Sequence, residues 1–320
     1  MIYSSKFRPA WWLRNPHAQT LWAARLQSIP AAITNNERLT TPDNDFLDLA
    51  WTEENEGPVV AIFHGLTGGI QSHYVQSLMH NLNALGIRAV LMHFRGCSGE
   101  PNRSRGSYHS GHTQDIEFVI DTLVKRFPNK QIGAAGFSLG GNALLKYLGS
   151  KPDNPLRFAL SVSPPLALAE AAQRMNTGFS KVYQSALIDR MKDEIRAKHA
   201  KYPELGMDEF DLGSISNFIE FDHQITAPIY GFDSGAHYYE TASTLGDLIN
   251  INTPTHILWA RDDPFFTGKC MPTEDQLSDH VDFELTSHGG HVAFINGKVP
   301  LAGENWLCER ASELLKTNLQ

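Results

Sequence analysis

The hydrophobic pattern of the chain changes its period along its length. Between residues 58 and 162, short and almost entirely apolar segments alternate with longer segments whose apolar positions recur every three or four residues. Uninterrupted apolar runs are typical of strands buried on both faces, and the longer period is typical of amphipathic helices. This alternation predicts a mostly parallel central β-sheet with helices on both faces.

The same pattern predicts the bounds of single elements. Helices are expected over residues 72–85, 113–127 and 142–148, and Gly86 and Pro128 end the first two of them. Buried strands are expected over residues 58–63, 88–94, 132–137, 157–162, 255–259 and 281–285. The last two strands resume the sheet far along the chain, after a long region without strand signals.

The regular alternation is absent at the two ends and in one long insertion. Residues 1–35 are rich in tryptophan and proline and are predicted to form an arm that packs over the main body. Residues 36–56 are predicted to form two short strands around a turn, and a closing helix is expected over residues 303–315. Residues 164–250 are charged and helix-prone, which indicates a helical cap over the strand ends. No Gly/Ser/Pro-rich linker flanks the cap, so we favour a single domain of 320 residues over a separate small domain.

Candidate catalytic residues follow the ends of the predicted strands, which is where the functional residues of doubly wound sheets lie. Ser138 stands in Gly136-Phe-Ser-Leu-Gly140, between a predicted strand and a helix. This is the pattern of a nucleophile elbow, a turn so sharp that a Cβ at either glycine would collide with a neighbouring strand or helix. Ser138 is therefore the predicted nucleophile.

The predicted base, acid and oxyanion hole follow from other strand ends. His288 and His291 come after residues 281–285, and Asp262 and Asp263 come after residues 255–259. One residue of each pair is expected to complete a Ser-Asp-His triad in the chain order of α/β-hydrolases. Asp263 is preferred as the acid because the other aspartate has the usual role of a turn residue, bonding nearby amides.

Two backbone N–H groups are expected to form the oxyanion hole. One is that of Leu139, directly after the serine, and the other is that of Leu66, in the glycine-rich loop after residues 58–63. These glycines do not fit a phosphate-binding loop, because the Walker lysine and the G-x-G-x-x-G spacing are missing.

Several motifs together resemble the YheT-like hydrolases, a bacterial branch of the α/β-hydrolase superfamily with eukaryotic relatives among the abhydrolase-domain proteins. The motifs are Trp12-Leu-Arg-Asn-Pro-His-Ala-Gln-Thr20, His64-Gly-Leu-Thr-Gly-Gly69, Phe94-Arg-Gly-Cys-Ser-Gly99, Tyr108-His-Ser-Gly-His-Thr113, Gly136-Phe-Ser-Leu-Gly-Gly141, Asp262-Asp-Pro-Phe265 and His288-Gly-Gly-His291. The resemblance implies an α/β-hydrolase fold and hydrolysis of carboxylic esters of acyl or lipid-like substrates. It also implies that His291, after the two glycines, is the base.

Composition excludes several other classes of function. The formal charge is −8 with no basic stripe, so no nucleic-acid partner is expected. No apolar run reaches the roughly 20 residues of a membrane span, and the first residues lack the features of a signal peptide. Three widely separated cysteines indicate neither disulfides nor zinc, and they favour the cytoplasm. No cofactor or metal is expected.

Other residues of interest have plainer predicted roles. Tyr108, His109 and His112 are expected to line an acyl pocket rather than to bind a metal, and Arg95 and Asp115 to form a structural ion pair. Aromatic residues that could line the pocket or pack in the core are Tyr230, Tyr238, Tyr239, Phe265, Phe266 and Phe294. A thioesterase, amidase or acyltransferase on the same machinery is an alternative, as is a non-catalytic binding protein with this fold.

Overall fold

The structure is a computed structural model that describes residues 1–26, 32 and 34–320. Its strands are β1 (Ile2–Ser4), β2 (Asn35–Thr40), β3 (Phe46–Trp51), β4 (Val59–Phe63), β5 (Arg88–Met92), β6 (Ile132–Phe137), β7 (Phe158–Val162), β8 (Thr255–Ala260), β9 (Val281–Thr286), β10 (Ile295–Asn296) and β11 (Glu304–Asn305). Nine of them form one sheet in the order β1-β9-β8-β7-β6-β4-β5-β3-β2. All neighbours in it are parallel except β3, which is antiparallel to β2 and β5. The predicted mostly parallel sheet is confirmed.

Helices cover both faces of this sheet. The α-helices of the described chain are α1 (Pro16–Arg25), α2 (His73–Ala84), α3 (Gln114–Arg126), α4 (Leu139–Ser150), α5 (Leu168–Met175), α6 (Ser180–Lys201), α7 (Phe218–Phe221), α8 (Ala227–Tyr230), α9 (Gly235–Ala242) and α10 (Trp306–Leu319). Side chains of β4 are all buried and alternate between two cores. One core contains α3 and α4, and the other contains α2 and α10. Burial on both faces explains why these strands are uniformly apolar.

Several elements differ from the sequence prediction, and α1, β10 and β11 are absent from it altogether. The helix after Ser138 begins at Leu139 and not at residue 142, so it includes Gly140 and Gly141, at which a side chain would overlap neighbouring atoms. The closing helix is α10, which begins and ends a few residues later than predicted. The arm also contains an unpredicted strand, β1, which pairs with β9 in the register Ile2 to Phe283. Three residues carry too little pattern to reveal a partner at the opposite end of the chain.

Residues 164–250 contain α5 to α9, and no strand is found in this described segment. They have two small apolar cores of their own, one centred on α6 and one between α5 and α9. Part of the predicted arm, at residues 27–31 and 33, lies outside the described residues. Within the described ranges, no helix is long and apolar enough to cross a membrane.

Candidate active site

The turn between β6 and α4 has the geometry of a nucleophile elbow. Ser138 has φ 51° and ψ −120°, a left-handed conformation that side chains rarely adopt. A Cβ on Gly136 would lie 2.5 Å from the carbonyl oxygen of Gly140, and one on Gly140 would overlap the carbonyls of Phe63 and His64. The glycines are therefore required by backbone contact, as the sequence predicts. Because its backbone N–H donates to the carbonyl of Val162, the serine is also fixed to β7.

His291 lies between the serine and a buried carboxylate. Its Nε2 is 3.0 Å from Ser138 Oγ, and its Nδ1 is 2.8 Å from Asp263 Oδ2. Asp263 is 3% exposed, and its other oxygen accepts the backbone N–H of Phe265 at 2.9 Å. Burial raises the pKa of Asp263, and the adjacent imidazole opposes this shift. With the Nδ1 proton donated to Asp263, the Nε2 lone pair faces the serine hydroxyl.

The competing residues Asp262 and His288 lie beside this arrangement and not in it. Asp262 Oδ1 accepts the backbone N–H of Gly290 at 3.1 Å, and Oδ2 is 3.4 Å from His288 Nδ1. The His288 side chain is 43% exposed, whereas that of His291 is 9% exposed. Asp262 thus stabilises the loop that carries His291. This is the role expected of it, accepting a bond from a nearby amide.

The loop that carries Leu66 is held by three side chains from different elements. Tyr74 accepts the backbone N–H of Gly65 at 2.8 Å, and Tyr108 accepts that of Thr67 at 2.9 Å. His64 is completely buried, with its Nδ1 2.7 Å from the carbonyl of Gly65 and its Nε2 accepting the backbone N–H of Phe94, just after β5. Burial lowers the pKa of His64 to about 3, so the ring is neutral.

The predicted oxyanion donors lie on either side of the serine. Leu66 and Leu139 both border the cavity that contains Ser138. Within the described chain, neither backbone N–H has an acceptor, whereas the amides on both sides of Leu66 are bonded to tyrosine hydroxyls. Leu139 is also the first residue of α4, where the helix dipole favours negative charge.

The chain is similar to a known protein family and to individual members of it. The family model for the α/β hydrolase fold matches residues 58–298. The chain belongs to the α/β-hydrolase family. It is YheT-like: it is 38% identical over 99% of its length to the protein named "Putative esterase YheT" of Escherichia coli (strain K12), and covers 95% of that protein. This hydrolase is also 31% identical over 86% of its length to a monoacylglycerol lipase of Saccharomyces cerevisiae (strain ATCC 204508 / S288c), covering 62% of it.

A solved structure shares the fold of the hydrolase at low sequence identity. The esterase Pf2001 of Pyrococcus furiosus superposes with a TM-score of 0.58 at 18% identity, over 100% of this chain and 99% of that one. At this identity the likeness shows the fold alone.

The arm of the hydrolase supports the loop that carries His291, a role that the sequence did not reveal. Thr20 accepts the backbone N–H of His291 at 3.0 Å. Gln19 is completely buried, and its side chain exchanges hydrogen bonds with both backbone groups of Ile295. The loop has positive φ at Val292 and Phe294, so contacts from the arm maintain a strained backbone. The motif at residues 12–20 was visible in the sequence, but its partners lie more than 270 residues away.

A cavity of about 190 Å³ extends from Ser138 beneath the cap. Its wall is mostly apolar and includes Leu168, Ala171, Ala172, Met175, Leu187, Met191, Ile195, Phe221, Ile225 and Ile229. Five of the six aromatic candidates also border it, as do Tyr108 and His109. Phe294 has the other role left open for it, packing in the core. It is completely buried in the core, with its ring 5.8 Å from that of Phe7.

Phe265 has a contact that the sequence did not predict. Its ring stacks on the His291 imidazole with centroids 3.9 Å apart and planes within 11°. The ring of Phe266 meets the same imidazole edge-on at 5.4 Å. Two rings and a buried carboxylate thus restrict the imidazole to one orientation. Their position two and three residues after Asp263 is the only signal in the sequence that could have indicated this.

The cap is joined to the body near this cavity by Lys198 of α6. Its ammonium group donates to the carbonyls of Ser104, Arg105 and Gly106 and to the Ser107 hydroxyl, at 2.7 to 3.3 Å. Burial lowers the pKa of Lys198 to about 8. Glu194, one turn earlier, also borders the cavity, and burial raises its pKa to about 7.

The predicted ion pair between Arg95 and Asp115 is confirmed, with two hydrogen bonds of 2.7 and 2.8 Å. Arg95 also binds Asp43 and Asp45. Burial alone would raise the pKa of Asp45, but hydrogen bonds from Asn102 and Ser104 outweigh it and lower that pKa. Among the described residues, no three His, Cys, Asp or Glu side chains are grouped to hold a metal ion.

Proposed function

We propose that this protein is a serine hydrolase that cleaves carboxylic esters of acyl or lipid-like substrates. The observation that carries the proposal is the position of His291, which is within hydrogen-bond distance of both Ser138 and Asp263 at the end of an apolar cavity. Relatives named as an esterase and as a monoacylglycerol lipase support the same class of reaction. We keep the cytoplasm as its predicted compartment.

In the proposed mechanism, His291 Nε2 removes the proton from Ser138 as the oxygen attacks the ester carbonyl. Asp263 keeps the imidazole in the required tautomer and stabilises its charged form without taking the proton. The tetrahedral oxyanion is held by the N–H groups of Leu66 and Leu139, each worth about 3 kcal/mol of transition-state stabilisation. The alcohol leaves with the proton from His291, and water then releases the acid from the acyl-enzyme.

The cavity supports an apolar acyl group rather than a charged one. Its wall near the serine consists of leucine, alanine, methionine and phenylalanine side chains. Burying a methylene group against such a wall contributes about 0.8 kcal/mol. The polar groups of α6 lie on the same wall, so the part of the substrate that reaches them is expected to carry hydrogen-bonding groups.

The decisive test is Ser138→Ala assayed with p-nitrophenyl esters, with Ser287→Ala as the matched control. We expect the first variant to lose about 10⁴-fold or more in kcat. Ser287 is exposed in the loop before His288, so its variant is expected to keep wild-type activity. Equal activity of wild type and Ser138→Ala would refute the proposal.

Two alternatives need separate measurements. Oxygen esters, thioesters and anilides of one acyl chain compare ester hydrolysis with thioesterase and amidase activity, and we expect the oxygen ester to have the highest kcat/KM. A fluorophosphonate probe tests the non-catalytic alternative. Labelling of wild type but not of Ser138→Ala supports an activated serine, and absence of labelling supports a binding protein.

A further inference from the structure

The arm differs in charge from the rest of the protein. Residues 1–26 contain Lys6, Arg8, Arg14 and Arg25 and no acidic residue, although the whole chain has a formal charge of −8. All four side chains are exposed, and none has an ion-pair partner within the described residues. The basic side chains are thus free to meet an external negative charge.

The same arm exposes large apolar side chains, which a surface facing only water seldom does in one place. Trp11 is 62% exposed, Leu21 39% and Leu26 64%. A nearby hairpin formed by β10 and β11 exposes Val299 at 62% and Leu301 at 75%.

Direct contacts join the arm and the hairpin into one face. The indole of Trp11 donates to the carbonyl of Lys298 at 3.0 Å, and the backbone N–H of Ala10 donates to that of Ile295 at 3.1 Å. On α1, Trp22 packs in the same small core as Ile295. Lys298 is exposed and adds a positive charge to the tip of the hairpin. The hairpin also carries Glu304, so most of the positive charge of this face comes from the arm.

The face continues to the part of the cap next to His291. Phe179, 48% exposed at the start of α6, packs against His17 of α1 with ring centroids 4.8 Å apart. The ring of Tyr183 lies 5.7 Å from that of Phe179 and 5.2 Å from that of Phe265, which stacks on the His291 imidazole. A continuous row of ring contacts, from Phe179 through Tyr183 and Phe265, therefore connects this face to His291, the proposed base.

We infer that the face formed by the arm and the hairpin tip docks on lipid surfaces that carry anionic headgroups. Exposed tryptophan and aliphatic side chains insert at the boundary between headgroups and acyl chains, and nearby arginine and lysine side chains pair with the headgroups. Lipid is favoured over a protein partner because the arm combines exposed apolar side chains with exposed cations that have no ion-pair partner within the described residues, and an anionic lipid surface complements both.

Sedimentation with large vesicles tests the inference. The probes are vesicles of phosphatidylcholine alone and of equal parts phosphatidylcholine and phosphatidylglycerol, with full-length wild type. We expect binding to the anionic vesicles and at least ten-fold weaker binding to the neutral ones. Raising the salt from about 0.1 M to about 1 M should remove most of the binding, because it shortens the screening length from about 10 Å to about 3 Å.

Two variants test the two components of the face. Replacing Arg14, Arg25 and Lys298 by glutamine should weaken binding about 100-fold, since each cation near an anionic surface contributes about five-fold. A matched control replaces Lys125, Arg157 and Lys316, which are exposed cations on α3, before β7 and on α10, and should bind as wild type does. Trp11→Ala with Leu301→Ala should weaken binding about ten-fold, whereas Ile219→Ala with Ile249→Ala, exposed elsewhere, should not.

The inference is overturned if wild type does not sediment with anionic vesicles, if it binds neutral vesicles equally well, or if the control variants lose as much as the test variants. Vesicle binding is measured without turnover, so Ser138→Ala should bind as wild type does. Failure of docking and failure of the proposed esterase activity are thus separate results.

Discussion

The body of the protein and its cap position their residues by different physical means. In the body, Ser138, Asp263 and His291 follow the ends of three strands of one sheet, and a hydrogen bond from the backbone N–H group of each residue fixes its position. In residues 164–250, helices pack on one another around small cores and contact the body through separated polar bonds such as those of Lys198. A site for chemistry needs positions fixed to a fraction of an ångström, and a cavity wall needs only shape and polarity.

Because of this difference, changes in the body and changes in the cap should affect different kinetic properties. A change in the body next to the serine should alter kcat for every substrate, because all of them pass through the same transition state. A change in the cap wall should alter the preference between substrates, because only some of them reach that wall.

We expect the largest difference in kcat between variants of two neighbouring aspartates of the body. Asp263→Asn is expected to reduce kcat about ten-thousand-fold, because the amide favours the wrong tautomer of His291. Asp262→Asn, the matched control, should reduce it less than ten-fold, since that side chain bonds only the loop. Steady-state kinetics on one ester compares the two, and similar losses would mean that Asp262 takes part in the triad.

In the cap, narrowing the cavity should change chain-length preference and little else. Ala172→Phe is expected to reduce kcat/KM for a long-chain ester about 100-fold relative to an acetate, because excluding about four methylenes removes ~3 kcal/mol. Ala169→Phe is the control, since Ala169 is exposed on the same helix, α5, and does not border the cavity. A uniform loss with both esters would indicate that the wall shapes the catalytic residues themselves.

In the body, the buried carboxylate of Glu284 should make the stability of the fold depend on pH. Glu284 of β9 is 2% exposed and accepts hydrogen bonds from Arg310, His256 and Ser5. Burial alone would raise its pKa, but these partners lower it to about 2. A lowered carboxyl pKa stabilises the fold above the unfolded value near 4.3, and the stabilisation is lost as the pH falls towards about 2.

Glu284→Gln should therefore lower the free energy of unfolding by about 2 kcal/mol at neutral pH, and the difference should shrink as the pH falls below the unfolded value. Urea denaturation across this range measures it. Asp282→Asn, on the exposed side of the same strand, should change stability by less than about 0.5 kcal/mol. A difference that stays constant with pH would show that packing, and not charge, accounts for the effect of Glu284.

The smallest effect is expected where the cap meets the body. Lys198→Met should leave the sheet intact and reduce kcat/KM about ten-fold by loosening the cap above the serine. Hydrogen exchange at residues 104–107 should increase, because these residues lose their bonds to the ammonium group. Lys192→Met is the control, since that lysine bonds Ile215 within the cap. Unchanged exchange at residues 104–107 would contradict a linking role for Lys198.

The features that could be predicted from the sequence are those in which backbone geometry restricts residue type. The elbow required glycines at 136 and 140, and the buried strands required apolar residues at every position. The candidate site residues could then be sought at the carboxyl ends of the strands, where parallel sheets bind their ligands.

What could not be predicted depends on contacts between distant parts of the chain. Strand β1 has only three residues, and the bond from Thr20 to the His291 loop spans 271 residues. For Phe294 the sequence left pocket lining and core packing equally open, and only the fold shows that its ring packs in the core. The composition of the cap indicated helices but not which side chains face the cavity.

The hydrogen bond between Thr20 and the His291 loop has a consequence for biosynthesis. A growing chain exposes the arm long before the His291 loop, and β1 likewise waits for β9. Contacts of such sequence separation make folding slow, because loop closure must precede them. Hydrolytic capacity should therefore arise only after β9 and the His291 loop have left the ribosome, so a nascent chain that has released only the arm and the first strands of the sheet should not act on esters.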